Sequence, residues 1–285
     1  MRLTLVEKIA ARYAVGLKEG EVVRAGDFVT IRPKHVMTHD NTGAVIPKFR
    51  AIGAKGIADR KQPVFAIDHD IQNTSPENLA KYAKIEAFAK EHGIDYYPPG
   101  TGIGHQVMVE EGYVTPGSMV VASDSHANLY GAVSALGTPV VRTDAASLWA
   151  TGTTWWQVPP VARVTLGGRL RKGVMGKDVI IALCGLFNSD EVLNHAVEFV
   201  GEGVAALSMD ERMSIANMTT EWGALAGVFP FDEKLRDYLH GRVAYFERAG
   251  RPMRYTREDV DKWFAERLSV DAGARYAVEL ELDLT

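Results

Sequence analysis

Three short segments hold the residues best suited to moving protons: Ile67-Asp68-His69-Asp70, the glycine-rich stretch GTGIGH that ends in His105, and Ser123-Asp124-Ser125-His126. A carboxylate beside an imidazole fixes its tautomer and raises its basicity, which suits a general acid or base near neutral pH. Each histidine taken singly could equally cap a turn or satisfy a buried carbonyl. Two Asp-His pairs, each directly after a short apolar run, favour function for the set.

Other residues offer weaker chemistry. Asn217 and Glu221 stand four apart in IANMTTEWGALAG, so on a helix they share a face, and the apolar surroundings favour a buried functional pair over a solvated one. His35, His39 and Asp40 lie in KHVMTHDN, and histidines four apart on a helix can reach one metal ion. Pro33 and the missing glutamate of HExxH weaken that signal, but a hydrolytic metal site built from His35, His39, His69 and an aspartate stands as a competing reading. The glycines of GTGIGH precede no clear helix and no acidic residue in the dinucleotide-binding position, so they predict a tight turn near a ligand rather than a nucleotide site. Cys184 is the single cysteine; set in IIALCGLF, it can form no internal disulfide and is expected to pack in the core. Trp149, Trp155 and Trp156 are read as core and interface residues without a catalytic role.

The elements that must position these groups follow from periodicity. Leu3, Val6, Ile9, Ala10 and Tyr13 recur at helical spacing, and Val29 and Ile31 alternate as in a strand. A strand over Val64–Ile67 leads to a helix opening at Ser75-Pro76 and stopping at Gly93, then to a strand over Ile94–Tyr97. Strand, helix, strand in that order predicts a crossover unit of a parallel sheet, and Met119–Ala122 adds a third buried strand. Ligands of open parallel sheets bind beyond the carboxyl ends of the strands, so the three segments should converge on one pocket. After Pro159-Pro160 the rhythm changes to a glycine-rich strand, a helix over Lys177–Leu186 and a strand near Val197, which places a subdomain boundary near Val161. Ser208 with Glu211 predicts a helix running to about Leu225, and Thr256 with Asp259 a second capped start. The alternating YAVELELDLT predicts a last strand with one covered face; it needs a partner, no residues remain to supply a following element, and it is expected to stand unpartnered. The expected class is α/β: a three-layer α/β/α domain with a mostly parallel sheet over residues 1–160, and a smaller α/β subdomain over 161–285.

Composition limits the partners. In 285 residues, 46% are hydrophobic, enough for one large domain or two medium ones. With 36 acidic against 32 basic residues and no basic run, the net charge of -4 predicts neither a nucleic-acid nor a membrane partner. No run of about 20 apolar residues is present, and the start lacks the apolar core of a signal peptide, so a soluble intracellular protein is expected.

The segments IDHD, GTGIGH, SDSH, ATGTTWWQVP, GVMGKDVIIAL and IANMTTEWGA, in this order, resemble the aconitase superfamily over essentially the whole chain. Within it, IRPKHVMTHDNTGAVIPKF, LGTPVVRTDAASLWATGTTWWQVPP and ANMTTEWGALAG are most similar to the homoaconitase branch, ahead of aconitase and 3-isopropylmalate dehydratase. The resemblance implies a hydro-lyase that dehydrates and rehydrates a small tricarboxylic acid, interconverting homocitrate or cis-homoaconitate with homoisocitrate in lysine biosynthesis. It implies that Asp68 and His69 transfer a proton near the leaving hydroxyl, that His105 pairs with Asp124 behind them, and that His126 and Glu221 handle the hydroxyl or water. Ser125 would meet a substrate carboxylate, and Asn217 would lie beside the cofactor. Ala127 stands where the family often has threonine.

The family's cofactor is a four-iron, four-sulfur (4Fe-4S) cluster held by three thiolates, which Cys184 alone cannot supply. The resemblance therefore implies a piece of a longer enzyme or one subunit of a split one, with the cluster-cysteine domain and a swivel domain or small subunit as partners. Such a chain alone should bind no cluster and turn nothing over. The compartment implied is the cytoplasm, or the mitochondrial matrix for a eukaryotic parent. A non-catalytic protein of the same fold that binds a partner or RNA is the alternative from another class, disfavoured by the acidic balance and the retained Asp-His pairs.

Overall fold

The structure is a computed structural model, and it describes residues 2–18 and 20–285. Helix α1 (Leu5–Tyr13) starts from a capping box in which the Thr4 hydroxyl accepts the Glu7 N–H while the Glu7 carboxylate takes the Thr4 N–H. There follow β1 (Phe28–Ile31), β2 (His35–Thr38), α2 (Thr42–Ile52), β3 (Pro63–Ala66), α3 (Pro76–His92), β4 (Asp95–Tyr97), α4 (Gly104–Glu110) and β5 (Met119–Ala122). A 3-10 turn over Ala127–Val133 leads to β6 (Leu136–Pro139), α5 (Arg142–Thr151) and β7 (Thr154–Gln157). The remaining elements are β8 (Val161–Gly167), α6 (Gly176–Leu186), β9 (Ala196–Val200), α7 (Glu202–Ala206), α8 (Met209–Met218), β10 (Ala226–Val228), α9 (Glu233–Arg248), α10 (Arg257–Ala265) and β11 (Val278–Asp283).

Two parallel sheets organise these elements. One runs β4-β3-β2-β5-β6 and the other β10-β9-β8-β11, while β1 and β7 form an antiparallel ribbon. The strands of the first sheet are apolar on both faces, as a sheet covered by helices on each side requires. Met37, Val64, Val120 and Ala122 enter one hydrophobic cluster, and their neighbours Val36, Phe65, Met119 and Val121 enter the other. Both clusters also draw on the second sheet: Ala162, Val164 and Phe199 join the first, and Val161, Ala196 and Val228 the second. The α/β class with mostly parallel sheets is thus observed.

Local signals locate most elements. Helix α3 begins at Ser75, whose hydroxyl accepts the Asn78 N–H with Pro76 in the first turn, and ends at Gly93 with φ 66°. The boxes at Ser208 and Thr256 open α8 and α10. Four expectations need correction. Helix α8 stops at Met218 rather than near Leu225, because the Thr219 hydroxyl turns back onto Ala216 O at 2.7 Å and the Thr220 hydroxyl binds Ser125 O at 2.7 Å. A short helix, α4, does follow GTGIG, and its first N–H, from Gly104, goes to Asp68 Oδ2 at 2.5 Å. His35 lies in β2 and His39 in the turn after it, so the two share no helix. The last strand finds its partner inside the chain: β11 pairs parallel with β8 from Val278↔Ala162 to Asp283↔Gly167.

None of the helices among the described residues is long and apolar enough to cross a membrane. Two glycines bring the sheets together. A Cβ on Gly131 would lie 1.7 Å from Gly227 O, and Phe229 N–H bonds Gly131 O at 2.9 Å, so the 3-10 turn and β10 touch through bare backbone. That contact sets the turn after α8 against the turn after β5.

Candidate active site

Strand β2 is central, flanked by β3 and β5, and all three point the same way. Their carboxyl ends therefore release His39-Asp40-Asn41, Asp68-His69-Asp70 and Ser123-Asp124-Ser125-His126 side by side. Asp124 is the hub. Its Oδ1 accepts from Nε2 of His105 and from the His126 N–H, each at 2.8 Å. Its Oδ2 lies 3.1 Å from Nε2 of His69 and 3.7 Å from Nε2 of His39. Burial alone would push the Asp124 carboxyl up, but the His105 hydrogen bond and charge, the His126 N–H and His39 outweigh it and hold the group far below the usual carboxylate range.

His105 is buried, with Nδ1 3.0 Å from the hydroxyl of Tyr130. Burial, then the charges of Asp124 and Asp68, pushes Tyr130 well above its ordinary range, so its hydroxyl keeps its proton. His69 Nδ1 lies 2.5 Å from Asp68 Oδ1. Burial lowers His69, but the hydrogen bond and charge of Asp68, with Asp124 and Asp40, carry it above the ordinary histidine value. Across the opening, His126 Nε2 meets Glu221 Oε1 at 2.8 Å, and its Nδ1 sits 3.2 Å from the Ser125 hydroxyl.

Asp40 shapes the site by holding its backbone. Oδ2 accepts the N–H groups of Asp68 at 3.1 Å and His69 at 2.8 Å, and Oδ1 that of Asp70 at 3.2 Å and the hydroxyl of Tyr82. Burial raises this carboxyl, but these donors hold it below its usual value. Asn41 ties the β2 and β5 turns together by donating to Ser123 O at 2.5 Å and Ser123 Oγ at 3.1 Å.

Asp68, His69, His105, Asp124, Ser125, His126 and Glu221 thus converge as expected. Asn217 makes no side-chain hydrogen bond to them among the described residues; its side chain is half-buried at the end of α8. With α8 ending before Glu221, the two share no helix face, and Glu221 is exposed rather than buried. Asp40, Asn41, Tyr82, Tyr130 and Thr220 also support the site, a role that sequence reasoning did not assign them. For Asp40, the one available signal was a carboxylate at the end of a strand neighbouring Asp68.

The hydrolytic metal reading does not fit. His35 is remote, bonding Lys61 O at 3.0 Å and packing edge-on against Tyr113. His39, Asp40, Asp68 and His69 bring possible ligand atoms within 4.8 Å of one another, but the Asp40 oxygens already hold four donors. The rings of His39 and His69 stack 3.8 Å apart at 24°. Ring lone pairs lie in the ring plane, so two nearly parallel stacked rings cannot aim at one ion.

Nor do the chain's donors fit the iron-sulfur cluster that the resemblance implies. Such a cluster needs several thiolates; the single cysteine, Cys184, is half-buried on α6, and burial, then the charge of Glu221, pushes its thiol up. A cavity of about 1140 Å³ opens beside the site, lined by His39, Asn41, Ser123, Asp124, Ser125 and Arg142 among others, with room for a small polycarboxylic acid.

Residues 7–285 match the aconitase family (aconitate hydratase). The mitochondrial homoaconitase of Yarrowia lipolytica is 59% identical over 281 residues, covering 99% of this chain and 40% of the relative. That of Cryptococcus neoformans is 58% identical over 295 residues with the same coverages, and that of Candida parapsilosis 56% identical over 281 residues, covering 98% and 40%. The chain spans about 40% of the length of these relatives. A family match that runs through almost every residue, including each of those gathered around Asp124, makes this chain a member of the aconitase family.

Proposed function

We propose that this chain supplies the proton-handling part of a hydro-lyase that interconverts homocitrate or cis-homoaconitate with homoisocitrate in lysine biosynthesis. The observation that carries the proposal is the convergence of three strand ends on Asp124, which joins His69, His105 and His126 in one network, with Glu221 opposite. The homoaconitase names of relatives more than half identical to the chain support this substrate over citrate.

His69, held protonated between Asp68 and Asp124, is placed to give its proton to a hydroxyl group as the C–O bond breaks, so that the group leaves as water. The base that takes the C–H proton lies outside these residues. In rehydration the same steps run backward, and His69 recovers its proton from the incoming water. The His126–Glu221 pair holds that water at the opening, and the Ser125 hydroxyl binds a substrate carboxylate. His105 fixes the orientation of Asp124. Asn217 would lie beside the cofactor.

In this reading a 4Fe-4S cluster, the Lewis acid of the complete enzyme, is held by cysteines of partner segments: a cluster domain, with a swivel domain or small subunit. The chain divides into subdomains 1–160 and 161–285 with a shared core. A mitochondrial matrix location follows the names of the fungal relatives.

The test is turnover of cis-homoaconitate by the complete enzyme carrying His69→Ala or His126→Ala. A loss of about 10²–10⁴ in either variant, with the fold retained, is expected. Near-normal turnover in both would overturn the proposal.

A further inference from the structure

The roles above leave His39 unused, although no other ring packs so closely on His69. The two rings stack with centroids 3.8 Å apart, and both Nε2 atoms approach the same Asp124 oxygen. Their surroundings are otherwise unequal. His69 has a second carboxylate, Asp68, 2.5 Å from Nδ1, whereas Nδ1 of His39 is buried without a hydrogen-bond partner among the described residues. The charged groups facing the pair are Asp40 from the turn after β2, Asp68 from the turn after β3, and Asp124 from the turn after β5. His105 and His126 reach Asp124 from its other side.

We propose that His39 and His69 hold one proton between them, with His39 as a positioning residue whose neutral ring fixes His69 as the charged partner. This rests on the hydro-lyase reading only for what His69 then does with its proton. Two stacked imidazolium rings would share a single carboxylate oxygen and repel each other, so the second proton is refused. The first goes to the ring with two carboxylates. The neutral ring of His39 covers the face of His69 and keeps its plane aligned with Asp68 at one nitrogen and Asp124 at the other. Burial, then the neighbouring His69 charge, pushes His39 below the ordinary histidine value, opposite to the shift of His69.

The test is a ring-nitrogen NMR titration of the histidines in this chain, as wild type, His69→Gln and His39→Gln. The account expects His69 to titrate above His39 in the wild type. It expects His39 to move up by more than about one pH unit in His69→Gln, and His69 to move much less in His39→Gln, since coupled sites titrate as a pair. Unchanged signals from His92, His195 and His240 confirm folding. If His69→Gln disturbs them, His69→Asn serves instead, because it too removes the ring that takes the proton while leaving the carboxylates around His39 in place. His39 titrating above His69, or staying in place in whichever of these two variants folds, would overturn the inference. That outcome would leave the turnover test of His69 untouched, so the two readings fail separately.

Discussion

Asp40 grips the backbone of His69: its Oδ2 accepts the His69 N–H at 2.8 Å, from one strand end to the next. The same carboxylate holds the N–H groups of Asp68 and Asp70 and the hydroxyl of Tyr82, so the turn that carries the Asp68–His69 pair hangs on one side chain.

Removing that anchor strands several donors at once. Asp40→Ala should destabilise the chain by about 2–4 kcal/mol, while Tyr82→Phe, which removes one donor, should cost about 1 kcal/mol. Urea unfolding checks both; equal and small losses would show that the turn holds itself.

The raised value of His69 fixes a pH dependence. The general acid works while protonated, so forward dehydration should fall as pH rises through the His69 value. Asp68→Asn or Asp124→Asn removes a charge that favours the protonated ring, and each should move that alkaline limb to lower pH. Rate profiles of the complete enzyme read the shift; an unmoved limb would mean that another group is the acid.

Two glycines should respond in opposite directions. Gly131→Ala drives a methyl into Gly227 O and should cost about 3 kcal/mol or more. Gly241, inside α9 with nothing within 4 Å of a Cβ, should accept alanine with a gain of about 0.5–1 kcal/mol. Thermal melts of the two variants make the comparison.

Burial, then the charge of Lys34, pushes His35 down to about 4. The unfolded chain therefore binds a proton that the folded one refuses between about pH 6.5 and that value. Stability from this residue is complete above the window and is lost as pH falls through it, by on the order of 1–3 kcal/mol. His35→Gln should flatten that part of the stability curve; an unchanged slope would assign the acid sensitivity elsewhere.

The sequence made legible what depends on neighbours along the chain. Ser75, Pro76 and Gly93 mark α3 residue by residue, and the apolar runs before Asp68 and Ser123 mark strands whose ends had to meet in a parallel sheet. What it hid was set by distant contacts. Helix α8 stops where Thr220 is drawn to Ser125, the partner of β11 is a strand more than a hundred residues upstream, and Asp40 is spent on the backbone of another strand. The four-residue spacing of His35 and His39 imitates a helix but spans a strand and its exit, so only His39 reaches the site.

The most direct test of the account is anaerobic reconstitution with iron and sulfide of this chain, alone and joined to the cluster-binding remainder of a homoaconitase, followed by a visible spectrum and an assay of cis-homoaconitate hydration. The account predicts a cluster spectrum and hydration only when the remainder is present. A stable cluster on this chain alone, or no hydration by the joined protein despite a full cluster, would contradict it.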